Sequence, residues 1–288
     1  MDFEVKMSPV LYLGPKGTHS HDAALTYFGE SEQLKPCLSH HDIFAQLGAG
    51  KKQRSAVAAL VPVENSTEGP VTQTLDLLAA HPEISIVESF SMPIKHHLLA
   101  HPGTKNIRDI KRVYSHPQAL GQCRVKIDKR LPNVERIPES STAASAERVA
   151  SEPGSAALAS IAAAEIYGLK IMKRNMQSSN KNVTRFLVLS TRKRRAKLAD
   201  ADSKKIRSLV YVVLHNRPGA LLHMLAPFDA AGVNLTFIQS RPLPGRAWEY
   251  AFFIEAVTNW TNPAHIAAWQ LITTLSEFGR QMGTYIVK

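Results

Sequence analysis

Four short polar stretches hold the residue types that could do chemistry. In "NKNVTRFLVLS" (180–190), Asn182, Thr184 and Arg185 run straight into an apolar segment that starts at Phe186. A threonine hydroxyl is a poor acid. In a dry, preorganised site it can still donate a hydrogen bond to a departing oxygen. An arginine can grip a carboxylate through two parallel bonds. A strand edge with threonine chosen for its β-propensity fits the same letters. In "PVENSTEG" (62–69), Glu64, Asn65 and Ser66 combine an acid, an amide and a hydroxyl after an apolar run. Together they can orient a substrate hydroxyl or stabilise a leaving group; an Asx-type turn with Glu64 solvated fits equally well. In "SHPQAL" (115–120), Ser115, His116 and Gln118 surround Pro117. Capping with proline in the first turn explains part of that pattern but not Gln118. In "GPKGTHSH" (14–21), Gly14 and Gly17 shape a turn, and Thr18 and Ser20 can cap the following helix. Free N–H groups and the helix dipole there attract an anion.

Other chemistries fit the sequence less well. The histidine clusters His19/His21, His40/His41 and His96/His97 lack the i, i+4 spacing of a helical metal pair, and no cysteine cluster supports them, so no metal is expected. The strand–turn–helix pattern of a nucleophilic serine is absent.

These stretches need elements to position them. Before residue 192, short apolar runs alternate with helical patterns, as in "VLYLG", "AVAALVPVEN", "RVYSH" and "FLVLS" with helices between them. The alternation predicts an α/β fold with a mostly parallel sheet. Helices are expected over about 20–28, 71–80 and from Pro117 onward, and one ending at Gly168, a C′ glycine. The polar stretches fall at carboxyl ends of strands, where such sheets bind ligands. Residues 206–288 read as strand, helix, strand, strand, helix, strand: βαββαβ, a ferredoxin-like sandwich. Its last helix is expected from Asn262–Pro263 to about Phe278.

The 288 residues suggest two domains, each long enough to bury its own core. The net charge is +11, and six of those charges sit in "RKRRAKLADADSKKIR" (192–207). No aromatic residues interleave these charges, so the segment reads as a solvated basic linker rather than a nucleic-acid site. No apolar run is long enough to span a bilayer. The first residues are too charged for a signal peptide, and two cysteines make no disulfide framework. A cytoplasmic location, with no nucleic-acid or membrane partner, is the expectation.

In order, "GPKGTHSHDAA" (14–24), "VPVENSTEGPV" (61–71), "SHPQALGQC" (115–123), "STAASAERVA" (141–150), "AALASIAAAEIYGL" (156–169) and "NVTRF" (182–186) resemble the prephenate dehydratase family. "RPGAL" (217–221) and "NLTFIQSRP" (234–242) resemble the two phenylalanine-binding signatures of an ACT domain. The resemblance implies conversion of prephenate to phenylpyruvate, with loss of water and carbon dioxide, under feedback control by phenylalanine and with no organic cofactor. It implies a catalytic domain over 1–191 with two lobes like those of periplasmic binding proteins, 8–80 with 177–191 and 81–176. A linker (192–206) and an ACT domain (207–288) follow. By similarity Thr184 is essential to departure of the hydroxyl. Glu64, Asn65 and Gln118 stand beside it as catalytic residues. Thr18, Ser20, Ser66, Ser115, Asn182, Arg185 and Phe186 line the substrate cleft, with Arg185 and the amides after Gly17 gripping carboxylates. Pro218, Gly219, Ala220, Leu221, Asn234, Leu235, Gln239, Ser240 and Arg241 form the effector site. The matches begin at residue 14, with no room for the chorismate mutase often fused N-terminally in this family, so the chain looks monofunctional. ACT domains commonly pair edge to edge, so a homodimer or homotetramer is expected.

Two positions depart from the family pattern. His19 stands where an aromatic residue is usual, and Gln239 replaces the glutamate of "ESRP", which is expected to shift phenylalanine inhibition. The rival readings are arogenate dehydratase and a non-catalytic ligand sensor.

Overall fold

The computed structural model describes residues 9–30, 33–49, 58–191, 198, 201–260 and 262–288. Most of the basic linker therefore lies outside the described residues. The chain begins with β1 (Val10–Leu13), α1 (His19–Phe28), β2 (Leu34–Cys37), α2 (His40–Gly48), β3 (Ala58–Asn65), the two-residue β4 (Gly69–Pro70), α3 (Thr72–Ala80) and β5 (Ser85–Pro93). A second lobe follows: β6 (His97–Ala100), β7 (Arg112–Ser115), α4 (Pro117–Arg130), β8 (Glu135–Pro138), α5 (Thr142–Ala150), β9 (Ser155–Ala159), α6 (Ile161–Tyr167) and β10 (Lys170–Lys173). The chain returns to the first lobe as β11 (Val183–Ser190). It ends with β12 (Ile206–Val213), α7 (Ala220–Ala230), β13 (Leu235–Pro242), β14 (Tyr250–Ala256), α8 (Pro263–Leu275) and β15 (Phe278–Val287).

Two sheets organise the described residues. The second lobe has five strands in the order β10-β6-β9-β7-β8, and every other strand belongs to one ten-stranded sheet, β13-β14-β12-β15-β5-β11-β3-β1-β2 with β4 on β3. The βαββαβ order of the C-terminal part is as expected. Strands β1, β3 and β9 are apolar runs buried on both faces. Ser or Thr caps open α1 (Thr18), α2 (Ser39), α5 (Ser141) and α6 (Ser160), each accepting from a backbone N–H three residues on. Gly168 ends α6 in the left-handed conformation.

Three expectations need correction. Residues 85–93, assigned to the second lobe, form β5 and pair along their whole length with β11 in the large sheet. The crossing between lobes therefore falls after Pro93, not near residue 81. Helix α8 stops at Leu275, because Phe278 onward is already strand β15, paired with β12. The C-terminal domain also does not keep its core to itself. Leu209, Phe253, Met282 and Tyr285 pack in one cluster with Leu187 and Leu189 of β11.

The two parts of the large sheet meet where β15 pairs parallel with β5, Ile286 opposite Glu88 and Val287 opposite Ser89. The approach is close at Gly283, where a Cβ would stand 2.4 Å from the Ile86 carbonyl oxygen. Only glycine fits there.

Candidate active site

Strand alternation sets the geometry of the site. Thr184 of β11 lies directly opposite Asn65 of β3, and Arg185 opposite Glu64. Successive side chains on a strand point to opposite faces. Thr184 and Asn65 therefore share one face and line a cavity of about 260 Å³ between the lobes. Arg185 and Glu64 share the other and pair with each other at 3.1 Å.

The amides around Thr184 are fully committed. The Asn65 Oδ1 accepts from the backbone N–H groups of Thr67 (2.9 Å) and Glu68 (3.1 Å). Those donors fix which end of the amide is oxygen. Its Nδ2 then donates to Asn182 Oδ1 (2.7 Å) and to Thr184 Oγ1 (2.8 Å). Asn182 Nδ2 in turn donates to Gln122 Oε1 (2.9 Å). Thr184 Oγ1 accepts from Asn65, which leaves its own proton free to be donated to a ligand in the cavity. Gln122 Oε1 is also 3.1 Å from His96 Nε2. An oxygen can only accept, so His96 carries its proton on Nε2 and presents Nδ1 as a buried acceptor without a partner. His19 packs edge-on to His96, with ring centroids 5.1 Å apart. Burial first, then His96 and His97, pulls the His19 pKa down to about 3, and burial lowers that of His96. Both rings are neutral at neutral pH.

The walls of the cavity suit an anion. Three helices start at it: α1 through Thr18, His19 and Ser20, α4 through His116, Gln118 and Ala119, and α5 through Ser141 and Thr142. Each helix N-terminus carries about half a positive charge. Among the described residues, no lysine, arginine, aspartate or glutamate lines the cavity.

Of the residues expected in the site, Thr18, Ser20, Asn65, Gln118, Asn182, Thr184 and Phe186 line this cavity. Phe186 stacks on Phe90 at 5.6 Å behind Thr184. Four do not line it. Glu64 and Arg185 face away, and Arg185 binds Glu255 of β14 instead of a ligand carboxylate. Ser66 Oγ donates to the Lys181 carbonyl (2.7 Å) and accepts from the Val183 N–H (2.9 Å), which clamps the start of β11. Ser115 is fully buried and donates to the Leu158 carbonyl at 2.7 Å, tying β7 to β9. Arg185, expected to grip a carboxylate of the substrate, is instead paired with Glu255 and Glu64 on the face away from the cavity.

The polar residues His19, His96, His116, Gln122, Ser140, Ser141 and Thr142 also line it without having been assigned to the site. The signal for Ser141 and Thr142 was present in "STAASAERVA", a serine cap before a helix. Nothing local marks His96, which reaches the cavity only because the chain crosses between lobes there.

Asp22, in the first turn of α1, supports this wall. Burial raises its carboxyl pKa to about 6, against hydrogen bonds from Ser160 and the Ala162 N–H. The folded chain holds this proton more tightly than the unfolded chain does. The unfolded state therefore binds fewer protons between about pH 4 and pH 6, and stability falls as pH rises through that interval. Asp22→Asn is expected to raise the melting temperature at pH 8, by on the order of 1–3 kcal/mol of stability. The gain should vanish near pH 4; thermal melts across that range check it, and an equal gain at both pH values contradicts it.

The residues expected at the effector site lie in the C-terminal domain. Gly219, in the left-handed conformation, caps α7, Ala220 begins it and Leu221 follows; Pro218 immediately precedes Gly219. Leu235, Gln239, Ser240 and Arg241 lie on β13, an edge strand of the large sheet, with Asn234 just before it. Gln239 Nε2 donates to the Ser240 carbonyl at 2.8 Å, and Arg241 binds Asp76 of α3 through two bonds of 2.8 and 2.6 Å.

A two-lobed α/β cleft with polar, largely uncharged walls and a ferredoxin-like domain on the same sheet defines the class: a small-anion enzyme with an attached regulatory domain. The family model described as prephenate dehydratase matches residues 10–194, and that of the ACT domain matches 208–259. The chain belongs to the prephenate dehydratase family and carries an ACT domain. It is 41% identical over 254 residues to a bifunctional chorismate mutase/prephenate dehydratase of Stutzerimonas stutzeri, covering 88% of this chain and 66% of that protein. Among solved structures it resembles the prephenate dehydratase of Arthrobacter aurescens in complex with L-Phe (TM-score 0.84, 34% identity, 96% of this chain and 90% of that one). It also resembles GqqA, described as a novel type of quorum quenching acylase (TM-score 0.85, 28% identity, 97% and 98%).

Proposed function

We propose that the inter-lobe cavity binds prephenate and that Thr184 assists departure of its ring hydroxyl. The observation that carries this reading is the Asn65 amide, both of whose Nδ2 hydrogens are committed, one of them to Thr184 Oγ1. That bond turns the threonine proton toward the cavity. Prephenate has two carboxylates and a ring hydroxyl. Breaking the C–O bond and the C–C bond to the ring carboxylate releases water and carbon dioxide and makes the ring aromatic. The dianion takes up one proton and becomes the phenylpyruvate monoanion. Aromatisation supplies the driving force, so the protein must hold the dianion and stabilise the oxygen as negative charge gathers on it.

Neutral donors do this work. The N-termini of α1, α4 and α5 and the hydroxyls of Ser20, Ser141 and Thr142 face the carboxylates. Thr184 faces the leaving oxygen, with Gln118 on the opposite wall. Phe90 and Phe186 keep water from the back of the site.

Phenylalanine is the effector expected at the segments 217–221 and 234–241, in line with the L-Phe named with the Arthrobacter aurescens structure. Among the described residues, strand β13 has no partner on its outer edge, which supports a homodimer or homotetramer joined edge to edge. No helix among the described residues is long and apolar enough to cross a membrane, and cytoplasmic residence fits a biosynthetic role.

The same walls separate prephenate from arogenate. Arogenate carries an ammonium where prephenate has a keto oxygen, and no carboxylate lines the cavity to receive it. Initial rates on the two substrates should show kcat/KM higher for prephenate by at least about tenfold, the ~1.4 kcal/mol of one unmade polar contact. Phenylpyruvate from prephenate supports the proposal, and equal or better use of arogenate overturns the substrate assignment.

A further inference from the structure

We infer that Glu255, a residue of the ACT domain, is a positioning residue of the dehydratase site, acting through Arg185 on the Thr184–Asn65 pair. The inference rests on the reaction proposed above.

Glu255 sits on β14, 1% exposed, in the middle of the C-terminal domain's sheet. A carboxylate so placed is costly unless every lone pair is used. Four bonds use them. Arg185 Nη1 donates to both oxygens at 2.8 and 2.7 Å, Tyr285 OH donates to one at 2.5 Å, and Thr236 Oγ1 donates to the other at 2.5 Å. Arg185 reaches in from β11, a strand of the catalytic domain, and its Nη2 holds Glu64 of β3. Its guanidinium also lies over the Phe237 ring, 5.7 Å from the centroid. Burial opposes the Glu255 charge, but Arg185, Thr236 and Tyr285 more than offset it, and its pKa falls below the ordinary value.

The link to the reaction is one of register. Thr184 and Asn65 are one cross-strand pair; Arg185 and Glu64 are the next. The first pair lines the cavity. The second, one residue along and facing the ACT domain, is clamped by Glu255. The β3–β11 ladder shifts register just after it, between Arg185 and Phe186, while β5 pairs regularly with β11 across the same residues. The ion pair adds a side-chain tie at the break on the β3 side. A buried ion pair adds little net stability compared with apolar packing, but it does select one arrangement. The same carboxylate touches the effector segment, because Thr236 lies within 234–241. A shift of β13 on phenylalanine binding moves a donor of Glu255 and thereby Arg185 and the Thr184–Asn65 pair.

Glu255→Gln keeps the shape, removes the charge and leaves Arg185 its second partner, Glu64. In full-length protein, kcat for phenylpyruvate formation is expected to fall about tenfold, with KM within about twofold. Equilibrium dialysis should show phenylalanine still bound, while its inhibition of turnover is largely lost. Glu255→Asp should recover part of kcat. Tyr285→Phe and Thr236→Val each remove one donor and leave the ion pair in place. They should give smaller losses of the same kind, and they carry the test if Glu255→Gln does not fold. A parent enzyme that turns over prephenate, with folded variants matching it in kcat and inhibition, overturns this role for Glu255 and leaves the proposed reaction standing. Loss of KM alone, with kcat intact, also overturns it. A parent that makes no phenylpyruvate overturns both.

Discussion

Thr184→Val should lower the rate of phenylpyruvate formation by about a hundred- to a thousandfold, the loss seen when one preorganised donor to a developing oxyanion is removed. Valine fills the same volume and suits a strand, so the packing against Phe186 and the pairing with Asn65 should survive. What goes is the single proton that the Asn65 amide directs into the cavity. The loss should fall on kcat, because the donor matters most once charge has gathered on the leaving oxygen. KM, set by the helix N-termini that hold the carboxylates, should change little. Thr184→Ser restores the hydroxyl and should recover most of the activity. Steady-state kinetics of the three proteins decide the matter, and a fully active valine variant would remove Thr184 from the mechanism.

Asn65→Asp should be as damaging, and worse than Asn65→Ala. The amide's Nδ2 donates to Thr184 and to Asn182. A carboxylate at that position can only accept. The Thr184 hydroxyl would then turn its proton toward residue 65 and away from the substrate, and a negative charge would stand beside a bound dianion. A loss of about a hundredfold or more is expected for the aspartate variant, spread over kcat and KM because repulsion also weakens binding. Alanine leaves Thr184 without an orienting partner but free to donate, so its loss should be smaller. If aspartate and alanine prove equally active, the hydrogen-bond polarity drawn here is wrong.

Both expectations turn on hydrogen-bond direction, as does the tautomer of His96. In the proposed reaction the cavity works by aligned neutral donors. Burial keeps His19 and His96 neutral, because it disfavours their charged forms. The wall offers a low-dielectric surface in which each hydrogen bond counts for more than it would in water.

Much of this was legible in the letters alone. Apolar runs alternating with helical patterns gave the α/β class, because a strand buried on both faces must be apolar throughout. The Ser and Thr caps, Pro117 at the start of α4 and Gly168 at the end of α6 fixed helix ends locally, since capping is a bond between near neighbours in the chain. Thr184, Asn65, Asn182 and Gln118 could be picked out as polar residues at the ends of such runs. A two-residue period even held the answer for Arg185. Neighbours on one strand cannot both face one cleft, so placing Thr184 in the site should have sent Arg185 to the other side.

Which residues meet across the chain was decided only by the tertiary structure. Residues 85–93 look like any short strand; pairing with β11 puts them in the first lobe. Glu255 lies 70 residues from Arg185, and no local pattern couples them. His96 and Gln122 enter the site from separate elements of the second lobe and its crossing. Local bonds depend on letters a few positions apart, and a sequence displays those directly. The partner of a buried charge depends on how two parts of one sheet are laid edge to edge, and that is settled by burying apolar area over the whole chain at once.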